Sequence, residues 1–107
     1  MLYAEARGEP LEGQKRVAET VLNRVEHPSF PNSVCDVVNQ PGQYSLSRNP
    51  ADHQAWEQVQ AVARDTLSRP ETSSEATHFY SGGSKPGWAK NYRYEGQVGG
   101  HKFYAKP

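Results

Sequence analysis

Two carboxylates set four residues apart, Glu5 and Glu9, bracket an Arg-Gly step in the segment EARGE. On a continuous helix that spacing would place both on one face, but Gly8 and Pro10 argue that the helix stops between them. Glu5 then stands in the last turn of a short helix and Glu9 on the turn beyond, so their surroundings differ. A carboxyl group at such a helix end meets the negative end of the macrodipole, and Leu2, Tyr3 and Ala6 would screen it from water. Both effects disfavour the charged form. A carboxylic acid kept protonated near neutral pH can hand its proton to a glycosidic oxygen. Spacing alone favours a plainer alternative, in which Glu5 and Glu9 are surface residues bonded to Arg7 or Arg24.

The other polar and aromatic residues divide by their neighbours. Tyr80, Trp88 and Tyr92 flank the glycine loop Gly82 to Gly87, and flat amphipathic rings beside a loop suit the faces of sugars. Trp56 sits on an apolar helix face and is expected in the core. His78 and His101 lie in strand-like segments, yet no Cys or Asp accompanies them at metal-ligand spacing, so hydrogen-bonded structural roles are expected and neither a metal nor another cofactor is. The single cysteine, Cys35, excludes an internal disulfide. Within the run Val34, Cys35, Val37, Val38 it is expected to be an inert buried thiol.

These residues need elements to carry them. A first short helix is expected from Met1 to about Arg7. A second, with Pro10 in its first turn, carries Val17, Val21, Leu22 and Val25 at helical spacing up to His27 and Pro28. HPSFPNS reads as a loop, followed by a short helix opened by Ser33 and Asp36. Gln40 to Pro50 is too rich in Pro, Gly, Ser and Asn for a regular element. A long helix then runs from about Asp52 to Ser68, with Trp56, Val59, Ala63 and Leu67 on one face. Beyond Pro70 the pattern becomes that of strands: ATHFY from Ala76 to Tyr80, a mobile loop SGGSKPG, and a tail whose Tyr92, Tyr94, Val98, Phe103 and Tyr104 alternate with glycines. The expected fold is α+β, mostly helical, with a small antiparallel sheet or hairpin in the C-terminal third.

At 107 residues the chain reads as one domain, residues 1–107, with no internal repeat or linker. Twelve basic and twelve acidic side chains cancel, so no global field steers it towards nucleic acid or anionic lipid. No segment reaches the ~18 apolar residues of a membrane span, and the first residues lack the charged-then-apolar pattern of an export signal. A monomer is expected.

The order of motifs adds a second line of inference. EARGEPLEGQKRVAETVLNRV (residues 5–25), FPNSVCDVV from Phe30, QYS from Gln43, ATHFY from Ala76, a Pro-Trp-type segment around Trp88 and VGGHKFY from Val98 together resemble the spore cortex-lytic, or cell-wall hydrolase, family over nearly the whole chain. The resemblance implies a lysozyme-like fold and an enzyme that cleaves peptidoglycan glycan strands between N-acetylmuramic acid and N-acetylglucosamine, as a lytic transglycosylase or muramidase. Glu5, the first glutamate of the EARGE-type motif, would be the catalytic acid. After protonating the leaving oxygen it would act as base towards the muramic 6-hydroxyl, leaving a 1,6-anhydro end.

The residues expected to contact substrate are Glu9, Gln43, Tyr44, Ser45, His78, Tyr80, Trp88 and Tyr92. For Glu9 a capping or salt-bridging role is an equal alternative, and Gln43 has the alternative of pinning its loop. Relatives carry more residues before the motif than the four that precede Glu5 here, which leaves the first helix short. Two further classes stand as alternatives: a non-catalytic peptidoglycan-binding module, and a hydrolase of the peptide stems, for which neither an activated nucleophile nor a metal constellation is visible. The expected place of action is the cell wall, whether periplasm, spore cortex or outside the cell. A short domain of this kind is compatible with a phage endolysin.

Overall fold

A computed structural model describes residues 1–45, 52–69 and 71–107. Four α-helices precede three strands: α1 (Leu2–Ala6), α2 (Leu11–Glu26), α3 (Val34–Val38), α4 (His53–Ser68), β1 (His78–Tyr80), β2 (Arg93–Val98) and β3 (His101–Ala105), with one turn of 3-10 helix at Gly87–Lys90. The α+β reading therefore holds, with helix outweighing strand and a small antiparallel sheet at the C-terminal end. Part of the loop expected over Gln40 to Pro50, residues 46–50, lies outside the described residues.

α2 is the axis of the domain, packing against α1, α3 and α4. Val17 and Val21 are buried on the side that meets the other helices, while Leu22 and Val25 are half-buried. α2 begins at Leu11, one residue later than expected, because Pro10 occupies the capping position with extended ψ of 156°. α3 is opened by Ser33, whose side chain accepts the Asp36 N–H. α4 is opened in the same way by Asp52, which accepts the Ala55 N–H at 3.0 Å. Both caps satisfy donors that the first helical turn leaves unpaired.

Two burial expectations are corrected. Cys35 is exposed, and the fully buried residue of α3 is Val37. Two residues along a helix turn by about 200°, so a five-residue helix that buries Val37 must present Cys35 to solvent. Leu67, expected on the packed face of α4, is 58% exposed. It stands on the rim of a shallow apolar hollow shared with Met1, Leu22 and Val34. Trp56 is half-buried against the core, with its ring edge-on to Tyr3 at 5.8 Å.

The sheet is antiparallel in the order β1-β3-β2. His78 pairs with Tyr104 and Tyr80 with Lys102 on one side of β3, while Arg93 pairs with Ala105 and Val98 with His101 on the other. A register shift between Tyr94 and Gly96 bends β2, with Gly96 at φ 113°. β3 is the buried centre: Phe103 is wholly inaccessible and joins Leu2, Tyr3, Ala6, Val17, Ala18, Val59 and Ala76 in the core.

The β2–β3 turn is held from the far end of the sequence. Glu9 Oε1 accepts the Gly100 N–H at 2.6 Å, which locks the turn against the α1–α2 connection. Gly99 has φ +58°, and a Cβ there would collide with Glu9 Oε1 and approach Pro10 Cδ to 2.9 Å. Gly99→Ala should therefore combine left-handed strain with a clash and lose about 1–3 kcal/mol. In a domain of this size that lowers the thermal midpoint by about 4–8 °C per kcal/mol. Calorimetry of the variant checks this, and an unchanged midpoint would show that the Glu9 clasp yields freely.

Candidate active site

Glu5 lies in the last turn of α1, where Leu2, Tyr3 and Ala6 point into the core and Glu5 is left half-buried at its edge. Its Oε1 accepts the backbone N–H of Ser45 at 2.7 Å. Among the described residues Oε2 has no hydrogen-bond partner, so the contact that holds the carboxyl there is the Ser45 N–H on Oε1.

The segment that supplies that N–H is itself tied to α2. Tyr44 OH lies 3.0 Å from Thr20 Oγ1, which donates to the Val17 carbonyl at 2.6 Å; in this arrangement the phenol donates to the threonine oxygen. Gln43 Oε1 accepts from Arg24 Nη1 at 3.2 Å. The same guanidinium donates from Nε to the Thr77 carbonyl at 2.7 Å. Its central carbon also lies over the Phe30 ring at 4.7 Å and the Tyr44 ring at 4.8 Å. Arg24 is 3% exposed. Burial lowers its affinity for a proton, while the Tyr44 and Tyr92 hydroxyls act in the opposite direction. Burial likewise pushes the Tyr44 phenol up; Arg24 and the Thr20 bond oppose that rise and Glu5 adds to it.

From Arg24 the contacts continue into an aromatic wall. Phe30 meets His78 at 5.8 Å, and His78 packs against Trp88 and Tyr92, each at 4.9 Å. Trp88 stacks on Tyr92 at 5.5 Å and meets Tyr80 at 6.0 Å and Tyr104 at 5.5 Å. Trp88 reaches this cluster because the 3-10 turn carries it back over the sheet. The structure thus joins Glu5, Gln43, Tyr44, Ser45, His78, Tyr80, Trp88 and Tyr92 in one continuous set of contacts.

Glu9 meets that set only indirectly, through His101, whose ring packs on Phe79 at 4.9 Å, and Phe79, which meets Tyr44 at 6.3 Å. Glu9 Oε1 is engaged by Gly100 N and lies 3.9 Å from the buried His101 Nδ1. Arg24, Thr20, Phe30, Thr77 and Tyr104 belong to the network and are not among the site residues expected from the sequence; Arg24, considered there only as a partner of the glutamates, bonds instead to Thr77 and Gln43. A faint signal existed in Thr20 and Arg24, two polar residues four apart on α2 beside the apolar stripe.

Among the described residues no group of three His, Cys, Asp or Glu is arranged to hold a metal ion, and no helix is long and apolar enough to cross a membrane. A polar hollow of about 420 Å³ bounded by Lys15, Glu19, Thr66 and Ser73 lies away from Glu5.

Helices wrapped round a central α2, a three-stranded antiparallel sheet, and a carboxylate at the broken end of the first helix define a lysozyme-like α+β domain. The family model described as Cell Wall Hydrolase matches residues 8–104, beginning just after Glu5, and the chain belongs to that family. A spore cortex-lytic enzyme of Bacillus subtilis is 38% identical over 84 residues, covering 75% of this chain and 27% of the relative. One from Oceanobacillus iheyensis is 33% identical over 95% of this chain and 38% of the relative. The chain thus spans about a quarter to two-fifths of the length of these relatives. Among solved structures, the catalytic domain of the germination-specific lytic transglycosylase SleB from Bacillus anthracis superposes with a TM-score of 0.74 at 28% identity, covering 96% of this chain and 86% of that one. The catalytic domain of the Bacillus cereus SleB protein gives 0.73 at the same identity, covering 96% and 82%.

His78 supplies a pH signature of the wall. Its Nδ1 lies 2.9 Å from Thr77 Oγ1, a hydroxyl that already accepts the Lys106 N–H and so has its proton free to donate. Burial, then the charges of Arg24, Lys106 and His27, lower its pKa from 6.5 to about 4. Between those values the unfolded chain binds a proton that the folded one refuses, so this contribution is complete above about pH 6.5 and is lost as pH falls towards about 4. Urea unfolding across that window should show stability declining with acidification, and His78→Phe should flatten the decline. An equal slope in the variant would place the titration elsewhere.

Proposed function

We propose that this domain cleaves the glycan strands of peptidoglycan between N-acetylmuramic acid and N-acetylglucosamine, with Glu5 as its single acid and base. The observation that carries the proposal is the asymmetric holding of the Glu5 carboxyl, one oxygen on Ser45 N–H and the other without a partner among the described residues. Protonated on that second oxygen, Glu5 gives its proton to the glycosidic oxygen as the bond to the muramic C1 breaks. The carboxylate then takes the proton of the muramic 6-hydroxyl as that oxygen bonds to C1. A 1,6-anhydro end forms and no water is consumed. One group serves both steps because the second proton transfer restores what the first removed.

Tyr80, Trp88, Tyr92 and His78 would form the wall on which sugar rings rest, and Gln43, Tyr44 and Ser45 the loop that offers amide and hydroxyl groups to their substituents. For Glu9 we favour the clasp on the β2–β3 turn over a place beside the reacting bond. The names of the spore cortex-lytic relatives and of the SleB transglycosylase support this reaction class, and the cell wall or spore cortex is the corresponding place of action.

Glu5→Gln keeps an oxygen for the Ser45 N–H but cannot deliver a proton. It should reduce release of soluble fragments from purified cell walls by about 10²–10⁴-fold, with unfolding free energy within about 0.5 kcal/mol of the parent. Retained lysis would move the chemistry to another residue. Should the parent sediment with cell walls yet release nothing, the domain is a binding module. Mass spectrometry identifies the product, the anhydro end being one water lighter than a reducing end.

A further inference from the structure

Arg24 is far from Glu5 along the chain but is coupled to it through a short path. α2 fixes the Arg24 backbone, and Nε is anchored on the Thr77 carbonyl, the residue preceding β1. That anchor orients a planar group whose Nη1 donates to Gln43 and whose face lies over Tyr44. Gln43 and Tyr44 are thus held on both their polar and aromatic sides. The next residue, Ser45, donates to Glu5.

The geometry points to Arg24 as the positioning residue of the acid: by clamping Gln43 and Tyr44 it sets the Ser45 N–H against Glu5 Oε1 and so decides which carboxyl oxygen remains to transfer the proton. Its role in turnover rests on the proposed reaction; its effect on the Ser45–Glu5 bond does not. The fork geometry matters more than the charge. A lysine could keep a cation near the two rings but could not donate from one rigid plane to Thr77 and Gln43 at once.

The chemistry explains why a small error would be costly. The 43–45 segment is exposed at Gln43 and Ser45, so its place depends on side-chain contacts rather than burial of its backbone. Misplacing a catalytic group by about 1 Å can cost about 10²-fold in rate.

The test uses Arg24→Lys, with Gln43→Leu as a second variant that cuts one link at an exposed position and leaves the core intact. In the parent, the Ser45 amide proton shift should follow the titration of the Glu5 carboxyl, a dependence that Glu5→Gln abolishes. In Arg24→Lys that dependence should vanish and amide exchange at Ser45 should quicken by about tenfold or more. kcat should fall by about tenfold or more while KM changes less than about threefold. Gln43→Leu should show the same amide changes to a smaller degree. If the Ser45 amide behaves as in the parent in either folded variant, the positioning role is overturned. Altered amide behaviour in a protein whose parent form cleaves no glycan would keep the positioning role and reject the proposed reaction.

Discussion

A buried guanidinium has to be satisfied where it lies, because a charge removed from water without partners costs several kcal/mol. Arg24 meets that demand with a carbonyl from the entry to β1, an amide oxygen from the α3–α4 connection and the faces of two aromatic rings. The three layers of the domain, helices, sheet and loop, are therefore joined at one side chain. Removing any one partner would leave the others misdirected, so the junction is more sensitive to geometry than an apolar contact of equal area.

α2 shows how this arrangement is encoded. Val17, Ala18 and Val21 make the familiar apolar stripe, while Gln14, Glu19, Thr20 and Arg24 are also buried. Those polar residues face segments that lack regular pairing. Glu19 accepts from the Ser73 hydroxyl at 2.7 Å, and Asn23 donates to the Ser74 and Ala76 carbonyls at 2.9 and 2.7 Å. Gln14 Nε2 donates to the Glu9 carbonyl at 3.0 Å. Backbone groups that a strand or helix would have satisfied are instead paired by one helix's side chains. The irregular approach to β1 keeps a defined path for that reason, and β1 brings His78 and Tyr80 to the wall.

The two glutamates of EARGE illustrate how a helix break separates chemically identical groups. Glu5 stays on α1 and is met by the Ser45 N–H; Glu9, past the break, is met by the Gly100 N–H. Each accepts one backbone donor from a distant loop, 40 and 91 residues away respectively. One bond organises the candidate acid and the other closes the hairpin onto the helices. Division of labour follows from where the helix ends, not from the side chains themselves.

Much of the architecture was legible in the sequence because it rests on local rules. The break expected between Glu5 and Glu9 lies there, although Gly8 is not among the glycines of positive φ; Pro10 precedes α2, Ser33 caps α3, the 3.6-residue period marked α2 and α4, and aromatic residues between glycines marked the strands. The order of motifs also carried the family. The tertiary structure alone decided burial at the margins, exposing Cys35 and Leu67, and the meeting of Arg24, Gln43, Ser45 and Glu5. No periodicity or spacing reports that meeting, since its hydrogen bonds join residues 19 and 40 positions apart. Such bonds depend on the directions in which packed helices and loops face, and those directions exist only once the chain has closed upon itself.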